Sequence, residues 1–194
     1  MGEPQEVFFE GRNVFADMWS SYWTDYEPES CFVAEVDGRV VAYLLGCKDT
    51  DRYERIFAGE IRPRLFRKAL RQGIFLRRKN LVYMARVVRG HQRGEFRMPM
   101  RNIKAEYPAH LHNNIADPWL RGQGIGKALM NAYLDYLRSS GVKGVHLGTT
   151  SYNKQAVPFY KSCGFEEIFR GPLTCYDHII KDEQVFLLYF GRKV

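Results

Sequence analysis

The sequence predicts an α/β (α+β) fold: one mixed, mostly antiparallel sheet flanked by helices, with a basic helical insert between the third and fourth strands. Three observations predict it. Cys31–Val36 and Val40–Leu45 read as the two arms of a β-hairpin, since Asp37-Gly38 between them supplies the positive φ angles of a two-residue turn. Ala109–Ala116 reads as a strand that leads through a glycine-rich loop into a helix from about Gly124 to Ser140. Beyond it, strands and helices keep alternating.

Each element has its own signal. Val7–Tyr22 has helical spacing at Phe8, Phe15, Trp19 and Tyr22, although Glu6–Phe9 also suits a short strand. Residues 49–104 form the insert, where Ile61, Leu65 and Ala69, and then Leu81, Ala85 and Val88, predict two or three amphipathic helices. The helix after the glycine loop places Ile125, Leu129, Ala132, Tyr133, Tyr136 and Leu137 on one side, and Gly141 ends it. Val142–Thr149 is a buried-looking strand. Asn153 caps a short helix that runs to Cys163 and closes at Gly164. Phe165–Phe169 and Glu183–Phe190 are the closing strands. Residues 1–194 thus read as a single domain with the insert inside it.

Composition excludes several classes. Hydrophobic residues are 45% and aromatics 14%, above a disordered composition. No stretch nears the roughly 18 apolar residues of a membrane span, and Met1–Glu10 lacks the basic and apolar regions of a signal peptide, so a cytoplasmic protein is expected. The four cysteines lack zinc-site spacing and read as reduced thiols. The net charge of +7 is uneven: Glu60–Lys104 holds fourteen Lys/Arg against Glu60 and Glu95, which is +12, so the rest is −5. Arg62, Arg64, Arg67, Lys68, Arg71 and Arg77-Arg78-Lys79 suit an acidic partner, an anionic membrane surface or simple solvation. Aromatics are not interleaved with these cations at a stacking spacing, so nucleic acid is not the expected partner.

The loop Arg121-Gly122-Gln123-Gly124-Ile125-Gly126-Lys127 carries the first chemical signal. A helix's first amides lack internal partners and carry partial positive charge, and glycines let a phosphate approach them. Arg121 and Lys127 add full charge, so the segment suits a diphosphate. Glycines at 122, 124 and 126 do not fit G-x-G-x-x-G, and Ala128 after Lys127 breaks a Walker A loop.

Arg121, Gly124 and Gly126 satisfy the [RQ]-x-x-G-x-[GA] signature, and the loop resembles the acetyl-CoA loop of the GNAT superfamily of N-acetyltransferases. Asn153-Lys-Gln-Ala-Val-Pro-Phe-Tyr-Lys-Ser-Cys-Gly-Phe165 resembles that superfamily's second motif. The resemblance implies an acyltransferase with acetyl-CoA as co-substrate, a primary amine acceptor and no metal. It implies that backbone groups of Asn114, Ile115 and Ala116 pair with the pantetheine arm. The amides of Gly122, Gln123, Gly124, Ile125, Gly126 and Lys127 would hold the pyrophosphate, with Asn153 and Lys161 near the rest of the cofactor. It also implies Tyr160 as the acid for the departing thiolate. The alternative is a non-catalytic acyl-CoA-binding or interaction domain. Oligomeric state is open, a homodimer being compatible.

His110 and His112 lie two apart on a strand, so both project from one face while Ala109 and Leu111 project from the other. Imidazole suits an amine base because its ordinary pKa is about 6.5. Their spacing to Arg121 resembles that in arylalkylamine N-acetyltransferases, where paired histidines on this strand help move the amine proton. Structural hydrogen bonding and a metal site are competing readings of the pair. Tyr107–His112 and Gly144–Gly148 also resemble acetyltransferase-like domains found with O-GlcNAc hydrolases. His146 either belongs to the core or borders the site, and the insert is expected beside the acceptor entrance.

Overall fold

A computed structural model describes residues 9–115, 120, 122–177 and 180–194. Among the described residues six strands form one sheet: β1 (Cys31–Val36), β2 (Arg39–Cys47), β3 (Ala109–Ile115), β4 (Gly144–Thr150), β5 (Glu166–Pro172) and β6 (Phe186–Lys193), in the spatial order β1-β2-β3-β4-β6-β5. Only β3 and β4 run parallel; the other four pairings are antiparallel. The hairpin turn is as expected, with Asp37 at φ 50° and Gly38 at φ 74°.

The helices are α1 (Arg12–Asp25), α2 (Thr50–Ile56), α3 (Arg62–Arg71), α4 (Arg78–Gln92), α5 (Met100–Glu106), α6 (Ile125–Ser139) and α7 (Ala156–Ser162). α1 begins later than expected, and Phe9, the described residue of the alternative strand, is in none. The insert therefore falls between the second and third of the described strands. It is more helical than expected, with four α segments. Asp49 starts α2 by accepting the Arg52 amide at 3.0 Å. A π-helical turn, Phe57–Ile61, joins α2 to α3 just before Pro63, which has no amide to donate to the ladder.

In α6, Met130 and Leu134 are buried whereas Ala132 is exposed, so the buried stripe is rotated from the expected one. Gly124 (φ 84°) opens α6 and Gly141 (φ 69°) follows its end. Ahead of α7, Asn153 caps as expected, its Oδ1 accepting the Ala156 amide at 3.3 Å.

Two apolar clusters sandwich the sheet. α6 and α7 cover one face, burying Leu44, Ala109, Leu111, Leu129, Tyr133 and Phe190. α1, α2 and α3 cover the other, around Trp23, Cys47, Ile61 and Leu65. A third cluster, Leu173, Cys175 and Val185 with Val87 and Phe96, holds α4 to the segment between β5 and β6. No described helix is long and apolar enough to cross a membrane.

Candidate active site

β3 alternates as its sequence requires. Ala109 and Leu111 enter the core under α6, and His110 and His112 face α1 and α2. Tyr133 secures the strand at this point: its hydroxyl accepts the Cys47 amide and lies 3.0 Å from the carbonyl oxygens of Cys47 and His110. Its ring occupies the space of a Cβ at Gly46, which explains the glycine.

Three imidazoles gather on this face. His146 of β4 is the register partner of His110, with ring centroids 5.8 Å apart, and His110 lies 6.0 Å from His112. Their hydrogen bonds fix two tautomers. The Pro108 carbonyl only accepts, so it takes the Thr50 hydroxyl proton across 2.7 Å. Thr50 Oγ1 therefore accepts from His110 Nδ1, at 2.9 Å. The Tyr107 carbonyl likewise accepts from His146 Nδ1 at 2.7 Å. Both rings thus carry the proton on Nδ1 and present Nε2 as the basic nitrogen.

Burial penalises the charged form of all three. His110 is held well below its ordinary pKa by desolvation, then by His112 and His146. His112 is lowered to about 4 by desolvation and then His146. Desolvation lowers His146 too, against hydrogen bonding to the Tyr107 and Ala109 backbone. The ordinary value near 6.5 does not apply here. These rings are neutral at pH 7 and their lone pairs are available, at the expense of basicity. Trp19 and Trp23 place ring centroids 4.7 and 5.4 Å from His112, and Tyr53 lies 4.7 Å from His110. Among the described residues no side chain or backbone group bonds the His112 ring, and His112 is half-buried.

On the opposite face, the Tyr160 hydroxyl donates to Asn113 Oδ1 at 2.8 Å, linking α7 to β3. Burial raises the Tyr160 pKa to about 12, so it keeps its proton near neutrality. Between these two groups of residues β3 and β4 part: they are paired only at Ala109↔Val145 and His110↔His146. From Leu111 to Ile115 the β4-facing edge of β3 has no strand partner among the described residues.

That open edge leads to the glycine loop. Gly122 and Gly124 have φ of 81° and 84°, and among the described residues nothing lies within 4 Å of where their Cβ atoms would be. Among the described residues no side chain caps α6 at Gly124. Gly126 differs, since a Cβ there would sit 3.2 Å from Phe159 and 3.4 Å from Ile115. Lys127 is exposed, while Asn114 and Ile115 end β3. Gln123 follows Gly122 in the turn. Ala116 and Arg121 lie outside the described residues. Asn153 uses its side chain at the α7 entrance, and Lys161 is exposed on α7.

Sequence reasoning missed Thr50, Tyr53, Trp19, Trp23 and Asn113. A helix 60 residues upstream supplies the partner of His110, and no local spacing signals such a pairing. The insert reaches the histidines through α2. Its basic run Arg77-Arg78-Lys79 instead leads into α4, with Arg77 3.9 Å from Glu10.

A sheet whose parallel strands part above a glycine-opened helix defines the class, an acyltransferase of the α/β type. Residues 5–165 match the Acetyltransferase (GNAT) family, and the chain belongs to that family. A stretch of 66 residues, 34% of the chain, is 42% identical to an uncharacterized N-acetyltransferase of Methanocaldococcus jannaschii, covering 29% of that protein. Another of 62 residues, 32% of the chain, is 36% identical to the uncharacterized N-acetyltransferase YjgM of Escherichia coli, covering 36% of it. These matches span about a third of each curated relative. Among solved structures, SsHAT superposes with a TM-score of 0.68 at 27% identity, over 99% of this chain and 86% of that one. The Drosophila melanogaster polyamine N-acetyltransferase superposes at 0.55 and 20% identity, over 90% and 79%, a likeness of fold.

Proposed function

We propose that the chain transfers the acetyl group of acetyl-CoA to a primary amine by direct attack through a tetrahedral intermediate. The observation that carries this reading is the parting of β3 from β4 with histidines on one face and Tyr160 on the other. A thioester lying in that gap meets both groups.

The amides of Gly122–Lys127 and the Arg121 charge receive the pyrophosphate, and the glycines' open surroundings support that assignment. The free edge of β3 at Asn114 and Ile115 takes the pantetheine arm as a further strand, with Ala116 following in sequence, and a backbone amide there steadies the oxyanion. Asn153 and Lys161 border the rest of the cofactor. Residues 49–104 serve as an insert within one acetyltransferase domain, with Trp19, Trp23 and Tyr53 walling the acceptor side.

His112 takes the amine proton first, because its ring is partly exposed and not otherwise bonded among the described residues. His110 receives it next on Nε2, its other nitrogen being held by Thr50. Neutral, weakly basic imidazoles suit a relay that passes a proton onward without retaining it. The attacking nitrogen bonds to the thioester carbon, the C–S bond breaks, and Tyr160 supplies the thiolate's proton once it turns from Asn113. The histidines release the amine's proton to solvent and Tyr160 takes one back from solvent, so both groups return to their starting states.

Thiol release from acetyl-CoA across a panel of amines tests the reading. Amine-dependent turnover that falls in both His112→Gln and Tyr160→Phe is expected. Undiminished turnover in both overturns these roles, and binding without turnover toward any amine favours a non-catalytic acyl-CoA-binding domain.

A further inference from the structure

The insert's cations fall into two sets. Arg64 pairs with Asp25 at 2.9 Å, Lys68 with Asp17 at 2.6 Å, and Lys104 with both Asp51 and Glu54 at 2.6 Å. Arg86 and Arg89 on α4, and Arg93 at its C-terminal cap, are different: among the described residues none has a carboxylate within salt-bridge distance. These three line a hollow of about 500 Å³ between α4 and the segment after β5, together with Val82, Ala85, Val88, Gln92, Thr174 and Asp177. Among the described residues its only lining carboxylate is Asp177. Arg93 reaches Thr174 Oγ1 at 3.5 Å.

The hollow's shape constrains its occupant. Val82 is 41% exposed and Val88 54%, so the apolar floor is open along one side. A small ligand is normally enclosed over most of its surface, which an open trough does not provide. An extended chain lying across it needs no such enclosure. Leu81, 50% exposed, and Leu76, 84% exposed, lie at and before the start of the same helix. Three cations against one carboxylate disfavour a second copy of this chain, whose matching surface would repel it.

We infer that this trough docks an acidic peptide segment of a protein partner, placing an apolar side chain on Val82, Ala85 and Val88 and carboxylates against Arg86, Arg89 and Arg93. Guanidinium forks suit carboxylates through paired, charge-assisted hydrogen bonds. The site is separate from the transfer chemistry, so the inference stands whether or not the proposed turnover does.

Fluorescence anisotropy with a labelled peptide of about twelve residues alternating Glu and Leu tests it. The full chain should bind saturably, and R89E/R93E should weaken binding by about tenfold or more, consistent with losing two charged contacts. Val88→Ser, neutral and at an exposed position, should also weaken binding, through loss of the apolar floor. The charge-matched pair R62E/R67E on α3 should leave affinity unchanged. Equal losses in the two arginine pairs would overturn the proposal in favour of diffuse electrostatics. Equal affinity for an all-Glu peptide would overturn the apolar contact. Sedimentation with phosphatidylserine vesicles but no peptide binding would overturn it in favour of a membrane surface.

Discussion

Lowering the pH from 7 to 5 should destabilise the protein through its histidine cluster. His112 titrates at about 4 when folded and near 6.5 when unfolded. Its neutral form is therefore favoured by folding. That advantage is complete above pH 6.5 and is lost as the pH falls toward 4, because the unfolded chain takes up the proton first. Linkage over this pH step gives about 2 kcal/mol, and the ring's partial exposure discounts that toward about 1 kcal/mol. His110 and His146 act in the same direction. Carboxylates with ordinary values near 4 stay largely ionised at pH 5 and contribute less. Urea unfolding at both pH values, for the wild type and His112→Gln, measures the effect. The wild type should lose about 1–2 kcal/mol more than the variant. Parallel losses in the two proteins, or a wild type more stable at pH 5, would refute the reasoning.

Four further outcomes follow from named contacts. Thr50→Val leaves the His110 Nδ1 proton without its acceptor, so unfolding free energy should fall by about 1–3 kcal/mol in chemical denaturation. Gly46→Ala drives a Cβ to 2.1 Å from the Tyr133 ring and should cost about 1–3 kcal/mol in the same assay. Tyr160→Phe should lower kcat about 100-fold with little change in the acetyl-CoA KM, as removal of a proton donor does. Gly124→Ala, at φ 84°, should raise the acetyl-CoA KM more than the amine KM in steady-state kinetics.

Much of this architecture was legible because local rules decide it. Asp37-Gly38 sets the hairpin, and two-residue alternation on β3 separates His110 and His112 from Ala109 and Leu111. The buried stripe of α6 was less legible: Met130 and Leu134 are buried and Ala132 is exposed, because the sheet beneath selects the stripe. The insert's helices were undercounted, since the π turn before Pro63 joins two segments that periodicity alone separates poorly. At the site, the histidines and Tyr160 carry recognisable motifs. Thr50, Tyr53 and Trp19 do not, because their importance arises from packing between distant parts of the chain. The availability of the histidines at neutral pH also depends on burial, which no spacing reports.

Calorimetric titration of the purified chain with coenzyme A tests the central claim most directly. Saturable one-to-one binding, weakened when the amides at the start of α6 are disturbed by Gly124→Val, is the expected result. An absence of binding heat across temperatures, with acetyl-CoA equally silent, would contradict the assignment of the glycine loop and the open edge of β3.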